Sequence, residues 1–214
     1  VYITGTESNH LRHGIVLEGM HMAVVDSHID QIKDDGLGDA QAIIVTNSPG
    51  PFKIVNNRLE ATGENFISGG QEPRIEGLVP SDFEFRGNYF FKPDVWNKYS
   101  PDYNGYDWSV KNLFELKNAQ RVLLEGNTFE NSWADAQIGY AILLTPTIQG
   151  SAATWTSVKD VTIRGNIVTD ARVFISMSGA RNADAPAFPQ QLERVTVKNN
   201  LVTDVSYRMI ELNA

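Results

Sequence analysis

Side chains alternate across a strand, so in Asn112-Leu113-Phe114-Glu115-Leu116-Lys117-Asn118 the residues Glu115 and Lys117 share one face. Phe114 and Leu116 point the other way, into a core, and leave a carboxylate beside an ammonium on the outside. A lysine flanked by carboxylate and amide groups can act as a general base once its pKa is lowered. The plainer reading is a surface ion pair worth under about 1 kcal/mol. Glu64 and Asn65, in Gly63-Glu64-Asn65-Phe66-Ile67-Ser68-Gly69-Gly70, carry oxygen ligands of the type calcium takes, and Glu115 supplies another. The glycine pair also marks a sharp turn into an insertion. Between Phe91 and Trp108, the aromatics Trp96, Tyr99, Tyr103, Tyr106 and Trp108 are interleaved with Asp94, Asp102 and Asp107. Flat rings beside carboxylates suit sugars, whose ring faces are apolar and whose edges are hydroxyl. The alternative is a lid whose rings fold back over the flank of the domain. His10, His13, His21 and His28 lie close together in sequence, but their spacing makes neither a metal shell nor a nucleophile–His–Asp set.

The elements that position these residues come from a repeat. The pattern apolar–x–apolar–x–x–Asn–x–apolar runs through Phe52–Leu59, Phe83–Phe90, Val122–Phe129, Val161–Val168 and Val195–Val202. Met22–Ile29 is a weaker copy with Ser27 in the Asn slot. The starts are 30, 31, 39, 39 and 34 residues apart, and repeats at such periods mean a solenoid, a propeller or an array. Each copy alternates apolar and polar residues like a strand and reaches its Asn where the chain must bend. Asn57, Asn88, Asn127, Asn166 and Asn200 can then bond amide to amide from coil to coil. A second apolar strand precedes each copy, for example Ile43-Ile44-Val45, Leu113–Leu116 and Ile142-Leu143-Leu144, and Met209-Ile210 begins a seventh.

No helical period appears, which argues against helical and leucine-rich solenoids. A propeller needs four strands in about 40–45 residues per blade, more than the shorter intervals allow. A right-handed parallel β-helix of six to seven coils remains, one domain over 1–214 with insertions at 71–81, 91–109, 146–158 and 180–192. The Asn-ladder pattern resembles the pectate-lyase-like superfamily, in its uncharacterised bacterial branch. The Glu115–Lys117 strand is similar to that of the alginate lyase and chondroitinase B group of β-helix lyases. That resemblance implies Lys117 as base, Glu115 and either Arg121 or Asn112 beside it, and calcium held by Glu64, Asn65 and Glu115. The aromatics Trp96, Tyr99, Tyr103, Tyr106 and Trp108 would then hold substrate. The calcium-binding Asp cluster and arginine strand of pectate lyases proper have no counterpart, nor do the paired aspartates of polygalacturonase-like hydrolases.

The formal charge of −8 and the lack of any basic run argue against nucleic acid as a partner. The chain has no cysteine, hence no thiol chemistry, and no apolar stretch long enough to span a membrane. Val1–Gly5 and Met209–Ala214 both read as strands interrupted within a coil, so the chain is expected to be a segment of a longer parent. The expected function is a carbohydrate-active β-helix, lyase-like on an acidic polysaccharide, with calcium offsetting the unfavourable net charge. A non-catalytic polysaccharide-binding, adhesive or structural module is the alternative. The fold points to an extracellular or periplasmic address.

Overall fold

The structure, a computed structural model, describes residues 1–36, 39–147, 153–179 and 191–213. Three parallel sheets run its length, and each turn of the chain adds one strand to each. Sheet A stacks β1 (Tyr2–Thr4), β4 (His28–Ile32), β7 (Arg58–Ala61), β10 (Tyr89–Phe91), β13 (Thr128–Ser132), β16 (Ile167–Ala171) and β19 (Leu201–Val202). Sheet B stacks β2 (His13–Leu17), β5 (Gln41–Val45), β8 (Phe66–Ser68), β11 (Phe114–Leu116), β14 (Tyr140–Leu144), β17 (Val173–Ser178) and β20 (Arg208–Asn213). Sheet C stacks β3 (Met20–Val25), β6 (Gly50–Val55), β9 (Ser81–Arg86), β12 (Ala119–Glu125), β15 (Ser157–Arg164) and β18 (Gln191–Lys198). This is the parallel β-helix that the repeat predicts. Of the four expected insertions, 148–152 and 180–190 lie outside the described residues.

Register aligns like with like. On sheet C, Phe52, Phe83, Val122, Val161 and Val195 fall in one column, and Ile54, Phe85, Leu124, Ile163 and Val197 in the next. On sheet B, Ile43, Phe66, Phe114, Ile142 and Ile175 form the matching inward column. Phe52 stacks on Phe83 at 4.4 Å, Phe90 on Phe129 at 4.6 Å, and Phe114 meets Phe85 edge-on at 5.1 Å. Because the inward apolar side chains meet their equivalents one coil away, a narrow core stays filled by strands alone.

The Asn ladder sits at the corner between sheets C and A. Asn57 donates through its backbone N–H and its Nδ2 to Oδ1 of Asn88, at 3.0 and 2.9 Å, and Asn88 does the same to Asn127 at 2.9 Å each. The weak first copy belongs to the ladder, since the Ser27 N–H donates to Oδ1 of Asn57 at 2.9 Å. One detail differs from the sequence reading: the left-handed backbone falls on the residue before each ladder position. Asp26, Asn56, Gly87, Gly126, Gly165 and Asn199 take it, with φ between 50° and 66°. The ladder residue itself turns its amide inward, where side chain and backbone hydrogen bonds hold it.

Candidate functional site

The outer face of sheet B gathers Glu64, Glu115 and Lys117. Parallel pairing aligns Glu115 with Ile67 and Phe114 with Phe66, so β8 and β11 bring the Glu64 turn and the Glu115 strand together. Phe114 and Leu116 enter the core as the alternation requires. Glu115 faces outward, yet it is only 1 % exposed, as is Glu64. Lys117 Nζ lies 3.3 Å from Glu115 Oε1, and Asn112 donates to Glu115 Oε2 at 2.9 Å. Gln41 donates to Glu64 Oε2 at 2.8 Å, and Lys111 Nζ stands 3.8 Å from Glu64 Oε1. This is a covered network, in which removing one partner strands another, rather than a surface ion pair.

Burial raises Glu64 to about 7, and repulsion from Glu115 adds to it, while Lys111, Gln41 and Lys117 pull the other way. For Lys117, burial alone would lower the pKa, but Glu115 and then Glu64 reverse this and leave it above the ordinary lysine value. Lys117 therefore keeps its proton near neutrality and is a fixed positive charge. Of the two, it is Glu64 that changes protonation near neutrality, which fits a general acid or base.

A cavity of about 80 Å³ opens beside Glu64 between Arg12, His13, Gln41, Lys111 and Lys117. At about 30 Å³ per water it has room for a carboxylate or a few waters, not for a sugar ring. Lys117 and Glu115 also border a wider groove of about 470 Å³ walled by Ile138, Tyr140 and Leu143. The two spaces share Lys117 and follow one another along sheet B, so a chain-like ligand lying in the groove would put one substituent into the cavity. Burial, with Arg12 second, lowers the pKa of His13 at the cavity wall, against a hydrogen bond to Gln41 and the charge of Asp39.

Other sequence-predicted residues go elsewhere. Asn65 turns to the buried side, donating to the carbonyls of Leu59 at 2.6 Å and Phe91 at 2.9 Å. With Asn65 withdrawn and ammonium groups beside both carboxylates, Glu64, Asn65 and Glu115 do not fit calcium, which needs six to eight oxygens. Arg121 belongs to sheet C, where it is exposed and holds Asp82 through two bonds of 2.6 and 2.9 Å. It has no place beside Lys117. His10 pairs with Asp34 at 3.1 Å and Asp35 at 3.3 Å, His28 pairs with Asp30 at 2.9 Å, and His21 is exposed on β3.

The aromatic loop divides. Trp96 and Trp108 are 3 % and 4 % exposed and pack with Val110 and Trp133 in a cluster apart from the main core. Lys33 Nζ stands 5.0 Å over the Trp108 ring, and Tyr106 stacks on it at 5.7 Å. These two tryptophans are a packed lid, not a platform for sugar. Tyr99 and Tyr106 are exposed and Tyr103 is half-buried. Trp108→Ala should lower stability by about 3 kcal/mol, the low end for a buried tryptophan. It should leave any polysaccharide-induced thermal shift unchanged; a lost shift with unchanged stability would restore the ring to a binding role.

Sequence reasoning missed Gln41, Lys111 and Gln137. Gln41 occupies the register position next to His13, and Lys111 and Gln137 lie on connections between sheets. The pattern gave no hint that their side chains converge on Glu64 and Asn112. No family model, no curated protein and no solved structure matches this chain.

Proposed function

We propose that this chain is a carbohydrate-active β-helix of the pectate-lyase-like kind, acting outside the cytoplasm on an acidic polysaccharide by β-elimination. The observation that carries the reading is the buried Glu64, with a pKa of about 7, facing a cavity edged by Lys111 and Lys117. In this reading the lysines receive a uronate carboxylate and neutralise it, which acidifies the proton on the adjacent carbon. Ionised Glu64 takes that proton, a C=C bond forms, and the C–O bond β to it breaks. The departing sugar oxygen takes its proton from water. Fixed ammonium groups then do what the sequence assigned to calcium, and they also answer the objection from net charge.

A second reading draws on Glu64 and Glu115 together. Two carboxyls with one held protonated near neutrality are also the equipment of a glycoside hydrolase. Incubation with uronate and neutral polysaccharides, with calcium and with chelator, separates the cases. Elimination yields an ultraviolet-absorbing unsaturated sugar from one uronate polymer, and chelator should not reduce it. New reducing ends without that absorbance would mean hydrolysis. A thermal shift without either product would mean a binding module and would overturn the enzymatic reading.

A further inference from the structure

Lys92 is wholly buried, yet it is surrounded by oxygen. Its Nζ donates to the carbonyls of Ala61 at 2.5 Å, Thr62 at 3.1 Å and Gly63 at 2.6 Å, and to Oδ1 of Asn65 at 3.1 Å. Three consecutive carbonyls converging on one point is an arrangement that backbone dipoles resist unless a cation stands there. The residues supplying these oxygens, 61–63 and 65, bracket Glu64 on both sides. Asn65 closes the arrangement from its other end, since its Nδ2 ties the turn to β7 through Leu59 and to the end of β10 through Phe91. The turn that presents Glu64 to the cavity is thus wrapped around an internal ammonium group contributed by the next coil.

We infer that Lys92 is the positioning residue of the site: its ammonium group organises the 61–65 turn and supplies, from the buried side, a positive charge that Glu64 feels. This rests on the reading of Glu64 as the proton carrier. Three charged groups bear on Lys92. Glu64 and Glu60 favour its ammonium form, and Lys111 opposes it. Burial is the largest influence and lowers its pKa to about 7. Four oxygen acceptors favour the charged form, because the neutral amine has only two N–H groups to give them. Glu64 itself faces Glu115, Lys111 and Lys117 on the cavity side, with Gln41 bonded to its carboxylate. Lys111 and Lys117 are open to incoming substrate; Lys92 is not, so nothing that enters the cavity displaces it from its cage of oxygens.

The test needs no substrate. In protein labelled with ¹³C at glutamate carboxyls, the Glu64 resonance, assigned through Glu64→Gln, reports its titration midpoint directly. Lys92→Met should raise that midpoint by about one pH unit, because a nearby counter-charge is lost. A purely structural role would lower the melting temperature and leave the midpoint unmoved, which would overturn the inference. If Lys92→Met does not fold, Lys92→Ala refolded with ammonium chloride provides the second arm. Ammonium ions should enter the vacated oxygen cage and restore folding, and tetramethylammonium, too large and without N–H donors, should not. Equal rescue by both, or by neither, would also overturn it. If Lys92→Met moves the Glu64 midpoint while no polysaccharide is cleaved, the proposed activity fails and the role of Lys92 toward Glu64 stands.

Discussion

Under the proposed elimination, Glu64→Gln should cut turnover sharply while making the protein more stable at mildly alkaline pH. The substitution keeps size and keeps an acceptor for the Gln41 amide, which bonds Oε2 at 2.8 Å in the parent. It removes the cavity carboxyl whose pKa is raised to about 7, so a loss of about 10²- to 10⁴-fold is expected. The stability gain follows from proton linkage. The carboxyl titrates at 4.5 when exposed and at about 7 in the folded chain. Between those values the folded protein holds a proton that the unfolded chain has released, so stability falls as pH rises through this window and levels off above about 7. A shift of that size corresponds to at most about 3 kcal/mol. The amide carries no such penalty. At about pH 8 the variant should therefore exceed the parent by about 1–3 kcal/mol, and its stability should change less than the parent's across the window. Urea melts of both proteins at several pH values decide the matter. If the variant is weaker at every pH, Glu64 is chiefly the structural partner of Lys111, and any lost activity reflects a damaged fold. In the parent, elimination requires ionised Glu64 and should rise with pH through about 7, whereas hydrolysis using Glu64 as the acid should fall there.

The architecture was legible because a β-helix writes its register into the sequence. Each inward column uses the same slot of the eight-residue pattern, so Phe83, Val122 and Val161 announce their own stacking. Even Ser27, a poor match, keeps its place, because the ladder bond it makes uses the backbone N–H rather than a side chain. The site was legible only in part. Glu115 and Lys117 follow from strand alternation, a local property. Their burial does not, since it depends on Asn112, Gln137 and the Tyr140 wall, which come from neighbouring coils and connections. Asn65 and Trp108 show the reverse error. Both are types that bind ligands when exposed, and both are instead consumed inside, Asn65 by Lys92 and Trp108 by the Trp96–Trp133 cluster. Composition cannot tell these outcomes apart, because the same amide or ring meets the same need inside the protein or out. Lys92 gave no signal because a lone lysine after an aromatic pair reads as a solvated charge, and only the folded 61–63 turn supplies the carbonyls that bury it.

Asn127→Ala should cost about 4 kcal/mol, a larger loss than truncation at the partly buried end of the ladder. Oδ1 of Asn127 accepts both the backbone N–H and the Nδ2 of Asn88, each at 2.9 Å, and its Nδ2 donates to the Asn166 side chain at 3.0 Å and to the Phe85 carbonyl at 3.1 Å. Alanine removes all four bonds. It keeps only the bond from its own backbone N–H to Asn166, which is 2.9 Å in the parent. Two donors on Asn88 are then left without partners at a site 1 % exposed, where water does not readily replace them. At about 2 kcal/mol for each stranded buried donor, the sum reaches about 4. For a chain of this size that is a fall of roughly 8–16 °C in melting temperature. Asn200→Ala is the internal control. Asn200 also accepts two bonds from its neighbour Asn166, at 3.0 and 2.9 Å, but it is only partly buried. The stranded donors there belong to Asn166, itself 1 % exposed, but the side chain removed lies at the partly buried end of the ladder, so its loss lets water in and the cost should be less than half as large. The same chemistry at two depths separates burial from bond number. Equal losses would mean that the ladder acts through turn geometry alone, and an Asn127→Ala protein that melts like its parent would remove the ladder from the account of what holds these coils in register.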